Sequence, residues 1–161
     1  MAEGEKLIAS HPTARSDYFI QEVVEAGIQL TGTEVKSIRA QSPSLKDAFV
    51  DIQSSSGEKS GALEAWLVQA HIAPYSHGNI NNHEPLRRRK LLLHRHQINR
   101  LFGSITQDGL TLIPLRMYFK KGHVKMELAL AKGKKKHDKR EDIKKRSAER
   151  EMDQARKRSR D

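Results

Sequence analysis

His94 and His96 stand one residue apart, and His71, His77 and His83 lie at wider spacing. These are the side chains whose type could hold a metal or move a proton. Neither a His-x-x-x-His pair nor an acidic cluster accompanies them, and the chain has no cysteine to supply a thiolate, so no metal is expected. The glycines stand singly, as turn residues, instead of forming a phosphate-cradling loop ahead of a helix. No Ser, His and acid arrangement is legible from spacing. The chain is therefore expected to carry no cofactor and no catalytic site, and each histidine is better read as a polar surface residue or a nucleic-acid contact.

Binding chemistry is better supplied. Tyr18, Tyr75, Tyr118 and Phe119 are candidates to stack on bases, with Arg15, Lys36, Arg39 and Lys125 beside them to track phosphates. Packing in a core or at its rim is the plainer role for each ring, and for Phe119 it is the expected one. Tyr18 is the strongest stacking candidate because it borders a polar, basic segment. Arg87–Lys90 begin the stretch LRRRKLLLHRHQINRLF, which is expected to be an amphipathic helix docked on a sheet. Four cations at a helix start oppose the macrodipole. They are expected to serve a ligand, with Lys90 among the RNA-binding residues.

Residues 132–161 hold 14 of the chain's 30 Lys and Arg but 7 of its 20 Asp and Glu, so most of the net charge of +10 sits on one terminal arm. Only Ile143, Ala148, Met152 and Ala155 offer that arm anything to bury, too little to offset its ordering entropy. It has helical grammar all the same. Asp138 with Glu141 reads as a capping box, and Glu141 with Lys145, Asp142 with Arg146, and Asp153 with Lys157 are acid-before-base pairs at i,i+4. The arm is expected to be disordered when free and helical when a polyanion neutralises it. A tail kept for solubility is the alternative, but solubility requires no cap. Nucleic acid is the expected polyanion, and not a membrane, because the arm has no apolar face to lay into lipid.

The elements that must position these residues are mostly strands. Residues 1–17 are polar, lack a period and are expected to be a mobile segment; 18–131 form the body and 132–161 the arm. YFIQEVV from Tyr18, then Ala26, Ile28 and Leu30, read as two strands or as one bulged at Gly27. Thr31 with Glu34 is a second capping box, opening a helix of about two turns with Val35 and Ile38 as its apolar stripe. Ala48, Val50 and Ile52, then Trp66, Val68, Ala70 and Ile72, follow period two on either side of SSSGEKSG, which predicts a hairpin with a long tip. PYSHGNINNHEP at 74–85 is a loop suited to carrying contacts. After a turn at Asp108-Gly109, Thr111, Ile113, Leu115, Met117 and Phe119 alternate up to a turn at 120–123. Val124, Met126, Leu128 and Leu130 answer them, and Pro114 makes its strand an edge or bulged. No stretch approaches the roughly 18 apolar residues of a membrane span, and MAEGEKLIAS lacks the pattern of a signal peptide. A cytoplasmic protein is expected.

In chain order, DYFI at 17–20, EAG at 25–27, LTGTEVKSIR at 30–39, LKD at 45–47, KLLLHR at 90–95, GLTLIPLRMY at 109–118, LALAKGKK at 128–135 and HDKREDIK at 137–144 resemble the SmpB family of SsrA-binding proteins. The likeness covers essentially the whole chain, and GTEVKS followed far downstream by GKKxHDKR is highly specific. The resemblance implies a mainly β fold, an OB-fold-like antiparallel barrel with short flanking helices and a basic C-terminal tail that becomes helical on binding. It implies a monomeric RNA-binding protein, not an enzyme, that binds the tRNA-like domain of tmRNA (SsrA RNA) and delivers it to stalled ribosomes for trans-translation. The tail would occupy the vacant mRNA channel and decoding centre of the small subunit. Family positions that grip the RNA elbow fall on Tyr18, Glu25, Leu92, His94 and Lys125. The tail motif that reads the ribosome falls on Gly133, Lys134, Lys135, His137, Asp138, Lys139 and Arg140. Two departures stand out. His11-Pro12 replaces the usual Asn and basic residue, and His94 stands where an Asn is common; an imidazole still donates a hydrogen bond at either place. The alternative of a different class is a structural ribosome-associated protein that binds no tmRNA.

Overall fold

The computed structural model describes residues 4–55 and 61–159. In chain order its elements are β1 (Glu5–Ser10), α1 (Ala14–Asp17), β2 (Tyr18–Ile28), α2 (Gly32–Ala40), β3 (Phe49–Ser54), β4 (Leu63–Val68), a 3₁₀ turn (Asn79–Asn81), β5 (Arg89–Leu92), α3 (Arg95–Asp108), β6 (Thr111–Lys120), β7 (His123–Gly133) and α4 (Lys136–Arg158). Every strand pairing is antiparallel. The sheet runs β1-β6-β3-β4-β5-β2-β7, and β7 also pairs with β6. The ring β6-β3-β4-β5-β2-β7 therefore returns on itself, with β1 added outside it along β6. Closure leaves no free edge within that ring.

The interior of the ring is apolar because alternate residues of each strand point inward. Val50, Leu67, Leu91, Leu112, Met126 and Leu128 form its centre, and α2 adds Ile38 while α3 adds Ile98 and Leu101. A smaller cluster of Ala14, Ile113, Leu115, Ala129 and Ala131 lies on the opposite faces of β6 and β7, with Tyr18 and Ile20 packed on it. These two strands are thus covered on both sides at 112–115 and 128–131, which is why those stretches read as unbroken apolar runs.

Glu5–Ser10 was expected to lack regular structure and instead forms β1, with Ile8 and Ala9 joining the main core. Full burial of one aliphatic side chain contributes roughly 1.5–3 kcal/mol, and pairing along β6 satisfies the strand's backbone groups. The irregularity in β2 falls between Ile20 and Glu22, not at Gly27. The expected helix over 86–102 also differs. Arg89–Leu92 is strand β5, paired with both β4 and β2, and α3 begins only at Arg95. A short apolar run such as LLL fits a buried strand as well as a helix, and periodicity alone does not separate them.

Hairpin β3–β4 forms as expected, but its inward face on β4 is Ala65 and Leu67, not Trp66 and Val68. Beyond the strand, Ala70 and Ile72 are buried. The parity changes at Gln69, whose φ of 65° breaks the pleat. The hairpin's expected tip includes 56–60, which lie outside the described residues. In β6 a register shift between Pro114 and Arg116 marks the bulge that a central proline requires. Lys121 (φ 50°) and Gly122 (φ 77°) form the two-residue turn to β7, with both central residues at positive φ.

Candidate nucleic-acid interface

Glu25, Lys90, Leu92, His94 and Lys125 are distant in sequence and line one open groove of ≈ 860 Å³. Ring closure is what joins them. Gly27 pairs with Leu92 across β2–β5 and with Lys125 across β2–β7, so the C-terminal end of β2 is the hub of the groove. A Cβ at Gly27 would stand 3.2 Å from the Leu92 Cβ, so glycine is what lets these strands meet closely enough. Leu92 is itself 48% exposed, an apolar floor open to a ligand. His94 caps α3, where its backbone N–H donates to Gln97 Oε1 at 3.0 Å, and its ring stacks on His96 with centroids 5.6 Å apart. Lys90 lies 3.5 Å from Glu64 on the far wall.

Glu25 is held in its ionised form. The Tyr118 hydroxyl donates to Oε2, and Lys120 Nζ stands 3.3 Å from the same oxygen. The Tyr118 hydrogen bond, then Lys120 and the nearby Lys125, more than offset burial and hold the carboxyl below its ordinary range. Burial and the Glu25 partner push the Tyr118 phenol upward in turn. Tyr118 is 1% exposed with the Arg116 guanidinium 4.4 Å over its ring. It is therefore not a stacking platform, as the sequence had suggested, but the buried post that orients Glu25.

The remaining predicted residues lie outside this groove. Arg39 covers the Phe119 ring at 5.4 Å beside a smaller cleft of ≈ 180 Å³, and Phe119 packs against the core as expected. Lys36 lies 5.7 Å from the Tyr75 ring on the loop that follows Ile72. That loop is braced by Asn82, which accepts from the Tyr75 N–H at 3.1 Å and donates to its carbonyl at 2.6 Å, and by His83, 2.9 Å from both the Thr33 hydroxyl and the Ile72 carbonyl. His83 is thus a brace and not a surface contact. His11, at the first departure from the family pattern, accepts from the Thr13 N–H through Nδ1 at 3.2 Å, and burial lowers its pKa. Its Nε2 can still donate.

Arg87–Lys90 were expected to serve a ligand as a group, and all four have an acidic partner within the body, Lys90 the Glu64 already described. Arg89 is wholly buried. Its Nε donates to Glu34 Oε2, and its Nη atoms donate to the carbonyls of Ala70 and Pro85 at 2.8 and 3.1 Å. Arg87 reaches the other Glu34 oxygen at 2.5 Å, and Arg88 lies over the Trp66 ring and 3.2 Å from Asp51. Burial pushes the Glu34 carboxyl up, yet hydrogen bonds from Arg87, the Thr31 N–H and Arg89 leave it lowered overall. The capping role of Glu34 was legible from Thr31; its buried arginine is 55 residues away and left no local signal.

Arg15 and Tyr18 lie at the root of the arm. Tyr18 pairs with Gly133, where β7 ends, and α4 follows at once. The helix starts three residues before the expected cap: Lys135 is the N-cap, and its N–H donates to Asp138 Oδ2 at 3.2 Å. Asp138 is therefore the third helical residue and not the cap. His137 pairs with Glu141 at 3.1 Å, Lys139 with Asp17 at 3.1 Å, and Lys134 with Asp142. No residue of α4 is buried. Among the described residues no group of three or more His, Cys, Asp or Glu is placed to hold a metal ion, and no helix is long and apolar enough to cross a membrane.

Comparison with known proteins matches this arrangement to one family. Residues 8–158 match the family described as SmpB protein. The SsrA-binding protein of Acetivibrio thermocellus is 54% identical over 154 residues, 95% of each chain. That of Pelobacter propionicus is 53% identical over 152 residues, 94% of this chain and 95% of its own, and that of Geobacillus thermodenitrificans is 51% identical over 156, 96% of each. A solved structure described as "tmRNA-SmpB: a journey to the center of the bacterial ribosome" aligns with a TM-score of 0.63 at 42% identity, covering 86% of this chain and 95% of that one. A closed antiparallel body, a groove built where its strands converge and a basic helix at its end thus come with a family match along nearly the full length: the chain belongs to the SmpB protein family.

Proposed function

We propose that this protein binds tmRNA and acts in trans-translation on the ribosome, the body holding the RNA and the arm engaging the ribosome. The observation that carries the body's role is the convergence of Glu25, Lys90, Leu92, His94 and Lys125 on one groove. That groove offers an exposed leucine and His94 for base contact, two lysines for phosphate, and an oriented carboxylate that accepts from base edges. It is suited to the tRNA-like domain of tmRNA, a folded RNA read by shape. The arm's role rests on its charge and on α4, whose cationic first turns carry Lys139 and Arg140. It is read as entering the vacant mRNA channel toward the decoding centre, with its ordering completed by ribosomal RNA. The protein acts as a binding factor and not as an enzyme, in the cytoplasm where ribosomes translate.

The test is binding of labelled tmRNA beside an equal-length control RNA at several salt concentrations, for the natural chain and for Lys125→Glu. Tighter binding of tmRNA than control, lost in the variant, supports the groove. Equal binding of both RNAs would favour a ribosome-associated protein without tmRNA.

A further inference from the structure

Arg116, Tyr118 and Lys120 alternate along β6 and so lie on one face of it. The Arg116 side chain runs along that face, places its guanidinium 4.4 Å over the Tyr118 ring and ends between two carboxylates. Its Nε donates to Glu127 Oε2 on β7 at 2.9 Å, and both Nη atoms donate to Glu5 Oε2 on β1 at 3.3 Å. Glu5 is an enclosed acceptor, its side chain 5% exposed, and β1 brings it there by pairing Glu5 with Lys120. Beneath the guanidinium the Tyr118 hydroxyl donates to Glu25 Oε2, and Lys120 Nζ lies 3.3 Å from that oxygen and 3.5 Å from Oε1. The contacts cross β1, β6, β7 and β2 and end on the carboxylate that lines the groove.

The value of that carboxylate depends on its direction. It repels phosphate and accepts only from N–H donors on base edges, and Lys125 stands near enough to draw it aside. A tyrosine can hold it only if its own ring is held. A guanidinium does this better than an ammonium, because its planar fork binds two carboxylates while its face stacks on the ring. We propose that Arg116 is a positioning residue for the groove: clamped by Glu5 and Glu127, it holds the Tyr118 ring so that the hydroxyl fixes the Glu25 carboxylate toward base-edge donors. This rests on the RNA-binding role given to the groove above. It also gives β1, the strand outside the closed ring, a part in RNA recognition, since β1 supplies Glu5.

Two variants of the full chain separate position from charge. Arg116→Lys keeps the charge but loses the fork, and Glu5→Gln removes a negative charge at the far end of the contacts. Each is expected to weaken tmRNA binding about 3–10-fold while affinity for an equal-length control RNA changes less than twofold. In a Tyr118→Phe background, where no hydroxyl remains to be positioned, each is expected to change tmRNA affinity less than twofold, the coupling that a double-mutant cycle reads. In the free protein, carbon-13 titration of the Glu25 carboxyl is expected to move up toward its ordinary value in both variants, because the Tyr118 hydrogen bond that does most to lower it is weakened. Simple Coulomb attraction predicts instead unchanged binding for Arg116→Lys and tighter binding for Glu5→Gln. Either of those results, an equal loss in the Tyr118→Phe background, or an unmoved Glu25 titration overturns the proposal, and if one variant does not fold the other carries the test. Equal binding of both RNAs by the natural chain would overturn the role given to the groove, and the Glu25 titration would still decide whether Arg116 positions it.

Discussion

Glu34 keeps its charge at 0% side-chain exposure because two arginines and a backbone N–H share it. Removing one partner of such a pair leaves the other charge buried alone, so Glu34→Gln is expected to cost roughly 3–5 kcal/mol in urea unfolding. Loss of less than about 1 kcal/mol would show the site to be wetter than its geometry implies. The pH dependence follows from the lowered carboxyl. Relative to its ordinary value of 4.5, Glu34 binds its proton less readily in the fold, so its stabilisation is fully present above that value and is lost as pH falls through the folded one. The Glu34→Gln variant should show a flatter acid limb. Glu25 behaves differently, being partly exposed beside Lys120 and fixed by Tyr118. Glu25→Arg is expected to weaken tmRNA binding although it adds positive charge, with Glu25→Gln intermediate, measured by titration at fixed salt. Tighter binding by Glu25→Arg would reduce the groove to a simple cation trap. At this scale the sequence was uneven. Glu25 and Leu92 were legible as RNA-gripping residues only through family resemblance, since they sit on separate strands, whereas His94 already stood among the histidines read as surface or nucleic-acid contacts. Tyr118 was misread because its hydroxyl partner lies 93 residues away.

Elements set by local rules were legible, and those set by long-range pairing were not. The β6–β7 hairpin follows from alternation on both sides of Lys121-Gly122, and α2 from Thr31 and Glu34. β5 was read as helix because LLLHR carries no strand period of its own; its pairing with β2 and β4 is what makes it a strand. β1 was missed because only Ile8 and Ala9 among its six residues are buried. The arm's helical grammar was legible, but its start was placed three residues late, since a lysine at the N-cap gives no side-chain signal. Because α4 buries nothing, its order depends on backbone hydrogen bonds and charge. Lys145→Pro, in the helix interior, is expected to cost roughly 3 kcal/mol of helix stability and to abolish tagging while tmRNA binding persists. Circular dichroism beside tagging in reconstituted translation checks both halves. A composition-preserving shuffle of 136–159 is expected to fail likewise, because only an arm acting by Coulomb attraction alone would be indifferent to residue order. Full tagging by the shuffled arm would make it only an electrostatic tether.

For the molecule as a whole, the proposed reading divides two kinds of RNA contact between the closed ring and the arm. The ring brings distant strands to one groove, and the arm carries charge away from it. Phosphate contacts by the body should make log affinity fall linearly with log salt, by about 0.7 per neutralised phosphate on single strands and about 0.9 on duplex. A truncation must respect the strand pairing. Ending the chain after Ala131 would remove Lys132 and Gly133, the partners of Phe19 and Tyr18, whereas ending it after Lys135 leaves β7 whole. The most direct measurement is therefore tmRNA affinity and peptide tagging, side by side, for the full chain and for the chain ending at Lys135. Affinity within a few-fold of the full chain, together with tagging reduced to background, is the predicted result. Loss of nearly all tmRNA binding on truncation, or tagging that survives it, would contradict the division of labour between groove and arm.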